Sequence, residues 1–338
     1  MADERALSTT VADLIDQSPA AATAIAVFDS QGIVASSLAG FADPQGSIPV
    51  TSAHWWDLAS LTKVLVTLPE AISLLDRADV SLDDPLATVW ATEPPIPEWI
   101  TLRRCLSHSA GFPPEITNKE AAGDRRTVLA DILRTARSLP EGVATVYSDL
   151  GYILVGEMIR HVGGSSLEEL LAAQLHGLRF GPVPGPAVVT ERSAWRQRDV
   201  CGEVHDETAC QMGGVAGHAG AFGTLAAVVD AARTWLDPDL DQRFLQCLTP
   251  TSHLDDGSIF GLGWWMGFPS WLGANSPSQT AFGASGFVGN RLWIDRENHY
   301  GLVVLSNRIW PVRGDRGPFS HWCTRVIEAV HLEMQSSR

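Results

Sequence analysis

The chain has 338 residues, 45% of them hydrophobic and 19% charged, with a formal net charge of −15 and a pI near 5.0. That length and apolar content suit one two-part domain or two small ones with a full core, and they argue against a disordered chain. The acidic balance speaks against a nucleic-acid or anionic-membrane surface, since both need basic patches. In chain order, Leu7 to Gln17 reads as a helix. The apolar run from Thr23 to Phe28, a turn at Asp29 to Gly32 and a second apolar stretch from Ile33 read as a hairpin. From Trp56 to about Ala173 the pattern is mostly helical, broken at Asp83-Asp84-Pro85, at Glu93 to Pro97 and at Gly163-Gly164. A Gly/Pro-rich connection, Phe180 to Pro186, leads into an irregular stretch. Strands return at Arg291 to Asp295 and Gly301 to Ser306, before a closing helix from about Phe319 to Leu332. Strands at both ends and helices between them predict one sheet completed by both termini with a helical insertion.

The N-terminus, Met1-Ala2-Asp3-Glu4-Arg5, lacks a basic region followed by an apolar core, and no apolar run reaches the roughly 18 residues of a membrane span. Cys105, Cys201, Cys210, Cys247 and Cys323 form an odd set without a C-x-x-C pair, which suits reduced thiols. The expectation is a cytoplasmic protein.

Lysine occurs twice in this arginine-rich chain, and Lys63 stands three residues after a serine in Ser60-Leu61-Thr62-Lys63. Arginine keeps its proton, whereas a desolvated lysine can exchange one, so a chain that prefers arginine can retain lysine where chemistry needs it. Val64, Leu65, Leu68, Ile72 and Leu75 recur at helical intervals and predict a helix from Ser60 to Leu75. Ser60 would open it, with the Lys63 amine one turn on along the same face and free backbone N–H groups nearby. That is the geometry of an activated nucleophile. On its own the tetrapeptide also fits a capping serine followed by a solvated lysine. Tyr147, in Val146-Tyr147-Ser148-Asp149, is one of only three tyrosines, and a phenol buried beside an ammonium could act as base for Ser60. A core tyrosine is the plainer alternative.

Ser60-x-x-Lys63 followed by Tyr147-x-Asp149 resembles the S-x-x-K and Y-x-N elements of the serine β-lactamase and penicillin-binding-protein superfamily, in its class C-like esterase branch. Ser81 to Pro85, Leu106 to Gly111, Gly202 to Asp206 and Gly213 to Phe222 are similar to further patterns of that family, in the same order. The resemblance covers almost the whole chain. It implies an α+β fold, a central antiparallel sheet flanked by helices and built from residues 1–54 and 225–338. A mostly helical subdomain, residues 55–224, would place the active site at the seam. It also implies that Ser60 attacks a carbonyl, that Lys63 and Tyr147 share the proton traffic, and that the oxyanion lies between the backbone N–H groups of Ser60 and Phe287.

Two departures from the family pattern stand out. Its third element, Lys or His followed by Thr or Ser and Gly, corresponds to Ala284-Ser285-Gly286, which the resemblance places, with Asp149, against the substrate; the cation that holds a substrate carboxylate is missing there. Asp149 replaces the usual Asn; an ionised carboxylate beside Lys63 favours the ammonium and makes Tyr147 the principal base, unless Asp149 turns away to cap a helix. The G-x-G-W pattern matches Gly261 to Trp264 and proposes Trp264 as an aromatic wall, although most of the twelve tryptophans are expected in the core. Cys201, His205, Asp206 and Cys210 have poor spacing for structural zinc, so neither metal nor cofactor is expected. His108 and His218 read as loop-packing residues near the cleft, since no G-x-S-x-G elbow suggests a Ser-His-Asp enzyme.

The expected activity is a serine acyl-enzyme hydrolase for a small-molecule ester or amide without a free carboxylate at the usual recognition point. An acyltransferase with an amine or alcohol acceptor shares the first half-reaction, and a sensor that acylates without turnover is a further alternative.

Overall fold

The strand Ala22–Phe28 is apolar at nearly every position because both its faces are buried. In the computed structural model, which describes residues 4–117, 123–140, 145–172, 177–255, 257–267, 278 and 280–336, its side chains divide with period two. Ala22, Ala24, Ala26 and Phe28 enter one apolar cluster, while Ile25 and Val27 enter another. Tyr300–Ser306 does the same, with Val303 and Leu305 on the first side and Tyr300, Leu302 and Val304 on the second. A slip of one residue would exchange the two sets, and each fully buried large apolar side chain contributes about 1.5–3 kcal/mol, so the register is firmly set.

These strands belong to an eight-stranded antiparallel sheet. Its order is Ile33–Gly40, Ala22–Phe28, Tyr300–Ser306, Arg291–Asp295, Phe282–Ser285, Trp265–Met266, Ile259–Phe260 and Ser252–His253. Helices Glu4–Ile15 and Gly317–Ser336 cover one face through Leu7, Val11, Phe319, Trp322 and Val326. The Trp322 indole N–H donates to the Leu14 carbonyl at 2.8 Å and ties the two helices together. On the other face, helix Leu225–Arg233 packs over Ala22–Phe28 and Tyr300–Ser306, where the alanines leave room for it. The fold is α+β, with a central antiparallel sheet flanked by helices, as the sequence led us to expect.

Between residues 55 and 224 the described chain contains helices Leu68–Ala78, Arg125–Ser138 and Asp149–Gly163 with several shorter ones. Leu150 to Ile159 are all buried. This segment also carries strands that its helical pattern gave no sign of: Trp56–Asp57, Arg179–Phe180 and Ala221–Gly223 in one small sheet, and the hairpin of Val189–Ser193 with Arg198–Cys201. The strands of the small sheet, two or three residues long, are too short for a period to show. Ala173, the expected end of the helical stretch, lies outside the described residues.

Candidate active site

The predicted helix from Ser60 to Leu75 is in fact three pieces. Backbone bonds from Leu61, Thr62 and Lys63 to the carbonyls three residues back make a tight first turn, a π-helical turn spans Lys63–Thr67, and an α-helix covers Leu68–Ala78. Pro69 lies at the junction; it has no N–H to give and its ring crowds the carbonyl four residues back, which favours a widened turn. Ala59 sits in the left-handed region at φ 49° and turns the chain sharply from strand Trp56–Asp57 into Ser60. The buried Asp57 carboxylate fixes that corner, accepting from the Ala59 N–H at 2.8 Å and from the His205 backbone N–H at 2.8 Å, and pairing with His205 Nδ1 at 2.9 Å. Burial disfavours charge on His205, but Asp57 outweighs it and raises the imidazole pKa above its ordinary value.

Ser60, Lys63, Tyr147 and Asp149 come together. The Lys63 amine, 2% exposed, donates to Ser60 Oγ at 2.9 Å and to the His218 carbonyl at 3.3 Å, and its Nζ is 2.7 Å from Asp149 Oδ1. It also lies 5.1 Å from the centre of the Tyr147 ring. Burial opposes the ammonium, but the charge and hydrogen bonding of Asp149 and Tyr147 prevail and hold its pKa above the usual lysine range. Asp149 begins helix Asp149–Gly163, yet Ser148 is the residue that caps it, accepting from the Leu150 N–H. The Asp149 carboxylate is thus available to the lysine. His108 packs on Tyr147 with ring centres 4.4 Å apart, and burial together with the Lys63 charge pushes its pKa down to about 3, so it is a neutral ring. His218 pairs with Asp206 at 3.0 Å. Burial would raise the Asp206 pKa, but His218 holds that carboxylate far below its ordinary range.

Of these groups Ser60, Tyr147, Asp149 and Asp206 border a cavity of about 470 Å³, which Trp265, Ser285, Gly286 and Phe287 also line. A larger cleft of about 800 Å³ lies beside the Val189–Cys201 hairpin and shares only Glu207 and Arg313 with it. Gly286 is required at its position: a Cβ there would stand 2.9 Å from the Leu58 carbonyl oxygen and 3.2 Å from Ala59 Cβ. This close approach sets Phe287 beside the serine turn. Among the described residues, neither the Ser60 nor the Phe287 backbone N–H has a protein acceptor.

Two expectations require correction. Trp264 is fully buried and packs edge-on against Trp235 and Phe282 in the core, so it forms no wall; its neighbour Trp265, on the opposite side of a strand, lines the cavity instead. Ala284 likewise packs against the core and is absent from the lining, while Ser285 and Gly286 belong to it. Among the described residues, the group with ligand-like spacing is Asp149, Asp206 and His218 rather than Cys201, His205, Asp206 and Cys210. Lys63 already places a cation against Asp149 there. The sequence reading missed Asp57, a lone acid in an apolar stretch, and the arginines of the cavity wall, which carry no motif.

A helix-flanked antiparallel sheet with a buried lysine against a serine, close to the end of strand Phe282–Ser285, is the arrangement of the serine beta-lactamase and penicillin-binding-protein fold. The beta-lactamase family profile matches residues 8–317, and the chain belongs to that family of serine hydrolases. A protein of Escherichia coli (strain K12) named D-alanyl-D-alanine carboxypeptidase is 30% identical over 77% of this chain and 70% of its own length. Among solved structures, EstCE1, a hydrolase with promiscuous acyltransferase activity, superposes with a TM-score of 0.75 at 16% identity, covering 97% of this chain and 99% of that one. A class C beta-lactamase from Rhodobacter sphaeroides gives 0.69 at 16% identity, covering 98% and 99%.

Proposed function

We propose that the protein is an acyl-enzyme hydrolase of carboxylic esters or amides with Ser60 as nucleophile. The observation that carries this is the 2.9 Å contact between the buried Lys63 Nζ and Ser60 Oγ, with Ser60 facing a cavity edged by two idle backbone N–H groups. Because Lys63 is held as an ammonium, it donates to Ser60 and leaves the serine's own proton to Tyr147, the base we assign. Ser60 Oγ bonds to the carbonyl carbon, the oxyanion is held by the N–H groups of Ser60 and Phe287, and the proton passes on to the departing alkoxide or amine as its bond to carbon breaks. Water then attacks the ester on Ser60 and releases the acid. With Ala284 in place of a strand cation, the donor has no charged anchor at that point.

An acyltransferase is the second reading, supported by the likeness to EstCE1; there an amine or alcohol replaces water in the second half-reaction. A sensor would show a single stoichiometric burst instead of steady turnover. The five cysteines are unbridged and no helix among the described residues is long and apolar enough to cross a membrane, which supports our placing the protein in the cytoplasm.

Intact mass after exposure to chromogenic esters tests the proposal. The wild type gains one acyl group, and Ser60→Ala gains none. Lys63→Arg keeps the charge but loses at least about a hundredfold in turnover, since the larger planar guanidinium does not fit the buried space in which the ammonium meets Ser60 Oγ and Asp149 together. Full activity in Lys63→Arg would remove the lysine from the mechanism.

A further inference from the structure

The larger cleft, about 800 Å³, is walled by the hairpin of Val189–Ser193 and Arg198–Cys201 on one side and by Pro311 to Arg313 on the other. Glu207 and Arg313 line both this cleft and the catalytic cavity, so the two spaces meet at one partition. Arg313 reaches into that partition from an exposed segment, 2.6 Å from Glu191 and 2.8 Å from Glu207, and both acids are buried. Two buried carboxylates are costly unless paired, and the shared guanidinium holds them in place.

The charges of the cleft cancel. Among its described lining residues three are acids, Glu191, Asp199 and Glu207, and three are arginines, Arg192, Arg198 and Arg313. Arg192 is 2.9 Å from Asp199, and Arg198 donates to Glu203 at 2.9 Å. An ionic ligand would have to break one of these pairs, whereas a neutral one can use the lone pairs and N–H groups that the pairs leave over. Trp195, on the turn of the hairpin, adds an aromatic surface to the lining. The Arg196 guanidinium lies 5.3 Å from the centre of that ring, its side chain is 8% exposed, and it takes no part in the lining, so it backs the ring from the protein side. A flat ring beside neutralised donors and acceptors suits a molecule with C–H faces and many hydroxyls, that is, a sugar or polyol.

We propose that the substrate of Ser60 is an ester of a sugar or polyol, whose hydroxyl-rich alcohol part lies against Trp195 in the outer cleft while its acyl carbonyl reaches Ser60 past Arg313. This rests on the acyl-enzyme reading and gives that reaction its substrate class. Ser60 Oγ bonds to the acyl carbon, the bond from that carbon to the sugar oxygen breaks, and the sugar oxygen takes the proton and departs through the cleft. Water then releases the acid from Ser60.

Acetate esters test it. In the wild type, the monoacetate of cellobiose or of sorbitol should exceed ethyl acetate in kcat/KM by about tenfold, because binding of the remote alcohol part lowers the barrier at the carbonyl. Ala194→Trp, at an exposed position on the turn, fills the cleft, and Trp195→Leu removes the ring; each should return that ratio to near one. In Ser60→Ala, calorimetric titration with cellobiose and with sorbitol should show binding of at least one, lost on adding Ala194→Trp and nearly indifferent to salt, since no net charge takes part. If neither sugar ester outruns ethyl acetate, or the advantage survives Ala194→Trp, the proposal is overturned even where ethyl acetate acylates Ser60. If cellobiose or sorbitol binds through the cleft but no ester acylates Ser60, the cleft stands as a sugar site and the acyl-enzyme reading fails.

Discussion

Replacing Asp149 by asparagine would remove the carboxylate 2.7 Å from Lys63 and, with it, the largest influence that raises the lysine's pKa. If the ammonium is the working form, the alkaline limb of the kcat/KM profile of Asp149→Asn moves to lower pH, because the lysine then loses its proton sooner. An unmoved limb would mean that Lys63 works uncharged. His108 provides a stability test of the opposite sign. Its folded pKa of about 3 lies below the ordinary 6.5, so the unfolded chain binds the extra proton first, and stability declines as pH falls from 6.5 toward 3. His108→Gln, whose amide oxygen can still accept from the Ser148 N–H, should flatten that acid decline in urea unfolding compared between about pH 7 and 4.5. The residues meeting at the serine were legible because a tetrapeptide, a scarce lysine and a scarce tyrosine singled them out. Asp57 was not, because its meaning depends on His205, far along the chain, and the arginines of the wall were not, because no motif marks them.

Among the elements, the turn that carries Ser60 is held from outside itself. Strand Ala221–Gly223 receives the Leu58 N–H at 2.9 Å and gives its first N–H to Thr62 Oγ1 at 3.2 Å. Asn290 donates to the Asp57 carbonyl at 2.9 Å. On the far side Gly286 closes against Leu58 and Ala59. Gly286→Ala forces these backbones apart; we expect a loss of about 1–3 kcal/mol in thermal or urea unfolding, together with a fall in kcat exceeding any change in KM. Normal kcat in that variant would show that the distance between Ser60 and Phe287 does not matter. The long strands and terminal helices were readable from their periods, within a few residues at the ends. The π-helical turn was not, because apolar spacing at three and four residues continues through it; Pro69 was the available signal.

For the molecule as a whole, the balance between water and another acceptor depends on how dry the cavity is. Its walls include Glu115, Asp149, Asp206, Glu207 and four arginines, so water has many partners there, and hydrolysis should dominate. With a 4-nitrophenyl ester and an added primary amine, we expect the free acid to exceed the amide; the reverse ratio would favour the acyltransferase reading. The layered architecture was foreseeable from apolar runs at both ends of the chain, whereas the sheet of Trp56–Asp57, Arg179–Phe180 and Ala221–Gly223 escaped notice because two or three residues cannot show alternation.

The Asp57 carboxylate grips the corner before Ser60 and also His205, whose ring lies parallel to that of Phe287 at 5.9 Å between centres. One buried acid therefore aligns both sides of the reaction centre, whereas Arg313 and Arg316 stand on an exposed segment with no bond to it. Such a separation makes the chain a natural starting point for directed evolution: libraries confined to residues 312–316 could retune which molecules are accepted while leaving the aim of the hydroxyl untouched.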